Sequence, residues 1–379
     1  MLAHCVHHLV AALLTPLLPF IRDEFALDYT QAGVLISAFT ISYGISQVPA
    51  GWLADRLGAR LVLVFGVSGV AVAGLLVGLS NTYIMMVIFL VLMGVMGGGY
   101  HPAASPLISA SVEPKKRGRI LGLHQIGGGA SFFLSPLIAI AIASALGWRG
   151  SYITLAIPTF IFGIVFYIFL RRSKYAGQTR QNKADRCDEM PAEPGHLRRM
   201  VAFLILVVAL QSFFTSITSF IPFFLVDEFN TSKETAAVML SLSFSGGLLA
   251  GPLGGYLSDR LGRVPIVLIV SIIACPVIFL LNYVSLGWSL SVILILLGMS
   301  MFITMPISEA YIISQTSECN RSTILGIYYF GSRGGSGVLT PLLGYLIDQS
   351  SFRIGFTITS VALFIIVIGC SIFLWRSRE

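Results

Sequence analysis

The chain of 379 residues is 56% hydrophobic and only 11% charged, against about 25% charged in soluble globular chains, and this excludes a water-soluble fold. A net charge of +7 would point to nucleic acid in a soluble protein; in a membrane protein it reports orientation, so no nucleic-acid partner is expected. Five scattered cysteines, Cys5, Cys187, Cys275, Cys319 and Cys370, with no C-x-x-C among them, make neither a disulfide framework nor a zinc site.

A span needs roughly 20 apolar residues to cross about 30 Å of hydrocarbon, and counting such runs between polar breaks predicts twelve spans. Those of the first half cover 2–21, 30–53, 60–80, 83–111, 118–145 and 150–170. Those of the second half cover 199–226, 235–257, 264–284, 287–313, 322–346 and 353–375. The run at 2–21 has no basic flank and no small-x-small cleavage site, so it reads as a first span, not a cleaved leader. Its start beside the initiator leaves room for a native start further upstream. The stretch 171–198 is polar, Pro-containing and aperiodic, a linker between an N-terminal six-helix bundle, 1–170, and a C-terminal one, 199–379.

Lys and Arg set the orientation, because cytoplasmic loops carry the excess. One set of alternating loops, with the linker and the C-terminal tail, holds nineteen basic residues, among them Arg56, Arg60, Lys115, Lys116, Arg260 and Arg263. The opposite loops hold four: Arg22, Arg149, Lys233 and Arg353. Both termini and the linker are therefore expected in the cytoplasm, the protein lying in the inner membrane.

The stretch Gly51-Trp-Leu-Ala-Asp-Arg-Leu-Gly-Ala-Arg60 is a charged hairpin between two apolar runs, and Gly255-Tyr-Leu-Ser-Asp-Arg-Leu-Gly-Arg-Val264 repeats it 204 residues later. Asp23-Glu-Phe25 matches Asp227-Glu-Phe229 at the same offset, as Pro102 matches Pro306 and Arg149 matches Arg353. A constant offset across a whole half means a duplicated six-helix unit. The hairpin resembles the loop signature of the major facilitator superfamily, G-x-L-x-D-R-x-G-x-[RK]; the second copy departs from it at Val264. That resemblance covers the whole chain. It implies an all-α membrane protein, twelve transmembrane helices in two pseudo-symmetric six-helix bundles, with substrate bound between them. It also implies a conformational latch, Gly51, Asp55, Arg56, Gly58 and Arg60 with Asp259 and Arg260, in which Asp55 meets the start of span 11 near Arg321 when the cytoplasmic side is shut.

Small residues recur at every fourth position: Ala38, Ser42, Ser46 and Ala50 on span 2, Gly127, Ser131 and Ser135 on span 5, Gly247, Gly251 and Gly255 on span 8, and Gly331 and Gly335 on span 11. Such faces let backbones approach closely. The family architecture pairs span 2 with span 11 and span 5 with span 8, so these stripes are expected to form the surface on which the halves rock.

Polar residues found in both copies read as scaffold, Asp23, Glu24, Asp227 and Glu228 among them. Those found in one copy are candidates for chemistry: His101 (mate Met305), His124 (mate Tyr328), Glu309 (mate Ser105) and Arg333 (mate Gly129). Glu309 and Arg333 are the charged side chains placed inside spans, each costing about 2.5–3.5 kcal/mol by insertion scales for charged residues at a helix centre, so a function or a partner is expected of them. Arg333, twelve residues beyond Arg321, lies roughly 18 Å deep at about 1.5 Å per residue, with Glu309 shallower. Arg333 is expected to hold an anionic group or tune a proton site, and Glu309 to bind and release the proton. Two prolines after His101 break the ladder of span 4, as at transporter binding regions. His7, His8 and Gln211 complete the set of candidate substrate and proton-coupling residues.

The run Gly97-Gly-Gly-Tyr-His-Pro-Ala-Ala104, followed by Gln125-Ile-Gly-Gly-Gly129, looks like the fosmidomycin-resistance, drug:proton antiporter-like branch of the family. That branch carries an acidic residue near the place of His8, which this chain lacks. His4, His7 and His8 share one helix face, and with His101 and His124 they invite a metal, since imidazoles suit zinc, copper and nickel. No carboxylate or thiol accompanies them at ligand spacing and Cys5 points off their face, so no metal and no cofactor is assigned from sequence. The expected function is proton-coupled export of a small organic or drug-like molecule by a monomer in the lipid bilayer. The alternatives are proton-coupled uptake of an organic anion held by Arg333, and a transport-inactive membrane sensor. No nucleophile–base pair, P-loop or metal motif suggests an enzyme.

Overall fold

A computed structural model describes residues 1–110, 112, 117–172, 196–316 and 321–376, and these residues are helical with short turns and no strand. The first half contains α1 (Leu2–Ala11), α2 (Leu14–Phe25), α3 (Tyr29–Leu57), α4 (Ala59–Gly78), α5 (Tyr83–Gly97), α6 (Tyr100–Ala110) and α7 (Arg117–Arg172). The second contains α8 (His196–Phe229), α9 (Lys233–Leu261), α10 (Arg263–Leu280), α11 (Trp288–Gln315), α12 (Arg321–Gln349) and α13 (Phe352–Arg376). The stretch 173–195 within the linker lies outside the described residues.

Thirteen helices make twelve crossings because three elements are interrupted. Pro16, third residue of α2, has no N–H to give the Ala12 carbonyl, and α1 and α2 part at Ala12–Leu13 within one span. Pro102 does the same to Gly98, and span 4 breaks into α5 and α6 as its prolines predict. The long α7 is two helices meeting at Gly147, whose φ of 72° is open to glycine at little cost. Nine described helices, or ten with the bent α9, are long and apolar enough to cross a membrane. Splitting the helix at 123–172 and adding α12, which spans the bundle but carries Arg333, completes the twelve.

The duplication is visible in the backbone. Ala26 and Asn230, 204 residues apart, both end a helix at φ 51°, and the next helix then starts on an oxygen cap at equivalent places. Asp28 accepts from Gln31 N at 2.6 Å while its own N–H bonds Gln31 Oε1; Ser232 accepts from Thr235 N at 3.1 Å. These caps satisfy N–H groups that helix starts leave unpaired. Each signature hairpin is shorter than its sequence suggests: Trp52 to Leu57 is the end of α3, and the chain reverses on Gly58 alone, at φ 93°, as it does on Gly262 at φ 89°.

Large side chains such as Phe65, Ile84, Phe169, Trp288 and Ile365 are more than three-fifths exposed on the outside, while serines, threonines and histidines are buried inside. A belt of that kind marks a surface made for lipid. The protein is an integral, multi-pass membrane protein.

The two halves touch along α3 with α12 and along α7 with α9, the span pairs expected. The small-residue stripes of spans 2, 5 and 11, however, point elsewhere, and for them the expectation of a rocking surface is corrected; on span 8 Gly247 packs within its half while Gly251 and Gly255 have nothing within 4 Å of a Cβ. Ser42 and Ser46 pack on Gly94 and Gly98 of their own half, with Ser46 Oγ bonding Gly94 O at 3.2 Å. Gly127 and Ser135 receive α1, Gly247 receives Phe302 of α11, and Gly331 and Gly335 receive Val208 and Ser212 of α8. Close backbone approach rigidifies each bundle. The cross-half contact uses a different face: Gly33 against Pro341, Ile41 against Gly337, Gly44 against Arg333 and Tyr29 against Gly344.

Candidate functional site

The halves are joined at one end. At the end opposite the hairpins, the Asp227 carboxylate on α8 takes Arg22 Nη1 and Nη2 from α2, the second at 3.0 Å, and the Tyr29 hydroxyl at 2.7 Å. Lys233 on α9 pairs with Asp23. Asp348, at the end of α12, accepts from Tyr29 N at 3.0 Å, Thr30 N at 2.8 Å and Thr30 Oγ1 at 2.5 Å. It sits at the N-terminus of α3, where unpaired N–H groups and the helix dipole favour an anion. Sequence symmetry filed Asp23 and Asp227 as scaffold, and the structure uses both to close the protein. Glu24, by contrast, ties its own half together through Arg149 at 2.5 Å and Trp148 Nε1 at 2.6 Å. The missed signal was the scarcity of cations on this face: three of its four basic residues hold carboxylates.

At the hairpin end no polar contact between the halves is found among the described side chains. Ile45, Val48 and Trp52 on α3 and Ile327 and Phe330 on α12 are exposed. Among the described side chains, the hydrogen bonds and ion pairs between halves lie at the closed end or near mid-depth. Arg56 stacks on its neighbour Trp52 at 4.2 Å and Arg260 on Tyr256 at 4.6 Å, each within its own helix. Gly51 lies beside Pro102, Asp259 is exposed and Arg60 half-buried. The side chains of Asp55 and Arg321 lie outside the described residues. The latch candidates thus sit at the end where no described polar contact joins the halves.

Between these ends is a cavity of about 40 Å³ lined by His8, Ala11, Phe39, Tyr43, Phe132 and Arg333. Arg333 reaches it because Gly44 has no side chain; a Cβ there would stand 3.1 Å from Arg333 Cβ. Its guanidinium lies 5.6 Å from the Tyr43 ring centre, a cation–π distance. Among the described residues no carboxylate pairs with Arg333, and Glu309 and Arg333 do not pair with each other. Glu309, on α11, faces the Tyr329 hydroxyl of α12, and its buried Oε1 has no hydrogen-bond partner. The Tyr329 ring in turn stacks across the seam on His101 at 6.3 Å.

His4, His7, His8, His101 and His124, five of the chain's six histidines, meet in the N-terminal half. His8 Nε2 is 3.2 Å from His101 Nε2. His4 stacks on His124 at 4.3 Å, and His7 on Tyr100 at 4.5 Å. Neither ring nitrogen of His124 has a hydrogen-bond partner. Linear spacing gathers only the three on α1; the break before Pro102 and the hairpin from α6 to α7 carry the other two to them. Gln211 stands apart, its amide donating to Met301 O at 3.3 Å and Thr304 Oγ1 at 3.2 Å, a tie between α8 and α11.

The family model described as Major Facilitator Superfamily matches residues 1–307 and 203–379. Multidrug resistance protein MdtG of Salmonella typhi is 25% identical over 382 residues, covering 97% of this chain and 91% of that protein. A probable L-galactonate transporter of Escherichia coli K12 is 25% identical over 361 residues, covering 89% of this chain and 80% of that one. Among solved structures, a POT family transporter in complex with 5-aminolevulinic acid aligns with a TM-score of 0.82 at 12% identity, covering 100% of this chain and 96% of that chain. A bacterial homolog of the human lysosomal transporter Spinster, inward-facing and unoccupied, aligns at 0.74 and 16% identity, covering 99% and 94%. These last two likenesses concern the fold.

Proposed function

The chain belongs to the major facilitator superfamily, a membrane transporter and not an enzyme, and we propose that it works by alternating access as a proton-coupled exporter of a small organic or drug-like molecule. The supporting observation is the cavity itself. It lies between the halves, is walled by Phe39, Tyr43 and Phe132, and carries one formal charge. At about 40 Å³ it is far smaller than the roughly 300–1,000 Å³ of ligand pockets, so a drug-sized molecule enters only as the halves part around these aromatic walls. Glu309 is the proton carrier, since a buried carboxylate with an unpartnered oxygen can be neutral or charged at little structural cost. His8 and His101 lie between it and the cavity, in the side chain most suited to proton exchange near neutral pH. The nineteen-to-four basic asymmetry orients the hairpin end to the cytoplasm, with both termini there, in an inner membrane, as a monomer. The Asp55–Arg56 latch then engages when that end closes.

A second reading, uptake of an organic anion, is favoured by Arg333, whose charge meets no carboxylate. Flux into proteoliposomes, measured with the pH gradient in each direction, separates them. Export predicts that an inward proton gradient drives cationic or neutral compounds outward. Glu309→Gln then stops proton-driven flux while leaving exchange, and Arg333→Ala abolishes transport of anions if the second reading holds. Coupled flux unchanged in both variants overturns both site assignments. Ligand binding with no flux in any gradient marks a sensor.

A further inference from the structure

Beyond the proton exchange proposed for His8 and His101, the histidine cluster has the geometry of a ligand set. We propose that His4, His8 and His101 bind a late first-row divalent cation, zinc, copper(II) or nickel, with one coordination position open to the central cavity. The inference goes beyond transport direction and stands or falls on binding alone.

The ligand atoms come first. One ring nitrogen from each of His4, His8 and His101 lies within 4.8 Å of the others. At metal–nitrogen distances of about 2.0–2.1 Å, a tetrahedral centre holds its ligands about 3.3–3.4 Å apart. The His8–His101 separation of 3.2 Å is already that edge, and the third ligand, within 4.8 Å, has to draw in by about 1.4 Å on binding. Without an ion, two facing imidazoles must share a proton; with one, both lone pairs point at it.

The support behind the ligands is the second, independent observation. His4 Nδ1 is 2.9 Å from the backbone oxygen of His124. A carbonyl only accepts, so the proton resides on Nδ1 and the lone pair on Nε2. A ligating histidine whose other N–H is held by a carbonyl is the usual outer-shell arrangement at metal sites. The His4 ring lies nearly parallel to the rings of His124 and Tyr100, tilted 10° and 13° from them. The slot exists because residue 128 is glycine: a Cβ there would stand 2.6 Å from His4 Cε1. Fold and sequence thus set this ring's tautomer and its plane.

The donor set selects the ion. Imidazoles without thiolate or carboxylate suit zinc, copper(II) and nickel and disfavour calcium and magnesium. His8 lines the cavity that Arg333 also lines, so the fourth position faces a guanidinium. Two cationic centres across so small a space call for an anionic oxygen between them, a hydroxide or the carboxylate of a cargo. The sequence reading sets a metal aside for want of a carboxylate or thiol, although it counts His101 and His124 with the three histidines of α1; the separation of 93 residues between His8 and His101 hides their contact.

The test uses the full-length, untagged protein in detergent, titrated with cobalt(II) as a spectroscopic probe and then with zinc. The expected result is one cobalt per chain with the intense visible bands of a tetrahedral centre, displaced by one equivalent of zinc. His8→Gln and His101→Gln each weaken cobalt binding at least tenfold, while His196→Gln and Cys5→Ser leave it unchanged. Sub-stoichiometric binding, a weak octahedral spectrum, or binding lost in His196→Gln or Cys5→Ser overturns the site. So does full retention in folded His8→Gln and His101→Gln. Should those variants not fold, the wild-type spectrum and stoichiometry decide alone.

Discussion

Asp227→Asn is the sharpest probe of the closed end. The substitution leaves volume and the Tyr29 hydroxyl contact in place and removes the charge that holds Arg22 across the two halves. The side chains of Arg22 and Asp227 are 17% and 25% exposed, between the surface pairs that contribute about 0.2–1 kcal/mol and the buried ones whose breakage costs about 3–5 kcal/mol. A loss of about 2 kcal/mol is therefore expected, and at about 1.4 kcal/mol per decade it moves the equilibrium roughly 30-fold away from the state closed at this end. Spin labels at Asn81 and Ser285, exposed positions in the turns of the two halves at this end, report it by pulsed electron–electron distance measurement in a background free of native cysteines. A second, longer distance should appear in Asp227→Asn. Adding Arg22→Gln should change little more, because both substitutions remove one interaction. An unaltered distance distribution, or shifts that simply add, would refute the assignment of this pair as a closure.

The same labels test the packing between halves. Gly33→Leu should also lengthen the distance, since a Cβ at residue 33 meets Pro341 Cα at 2.7 Å and Thr340 O at 3.0 Å, backbone that cannot step aside. Gly251→Leu, with nothing within 4 Å of its Cβ, should leave the distribution as it is; a response equal to that of Gly33 counts against the seam described. Glu309→Gln should lower proton-driven flux at least tenfold while equilibrium binding of substrate changes less than twofold, and a parallel loss of both makes Glu309 a structural residue. Asp55→Asn should reduce turnover without loss of binding to the detergent-solubilised protein, and a loss of binding removes the latch.

Several features were legible because they are properties of the chain alone. Apolar length reports crossings, since bilayer thickness fixes how many residues a helix needs. The 204-residue offset reports two like bundles, and the paired angles of Ala26 and Asn230, and of Gly58 and Gly262, are its backbone image. His101, His124, Glu309 and Arg333 stood out by lacking a twin; His101 meets Tyr329 and Arg333 meets Tyr43 across the halves, while His124 and Glu309 contact residues of their own halves. Gln211, also named among the candidates, became a tie between α8 and α11, because a side chain's partner depends on which helix lies opposite.

That dependence marks the boundary of the linear argument. The small-residue stripes of α3, α7 and α12 were visible as periodicity, yet periodicity names a face and not its neighbour, and these faces turned inward to each bundle. Asp23 and Asp227 looked like scaffold because they repeat; the fold made them cross-half partners of Lys233 and Arg22. Five histidines from three separate stretches of chain became one cluster through a proline-broken helix and a hairpin. The sequence by itself determined what must leave water and how many times the chain crosses, both set by the solvent preference of each residue. Tertiary structure decided which polar groups meet, because pairing in a membrane interior follows from helix rotation and approach, quantities that no single helix contains.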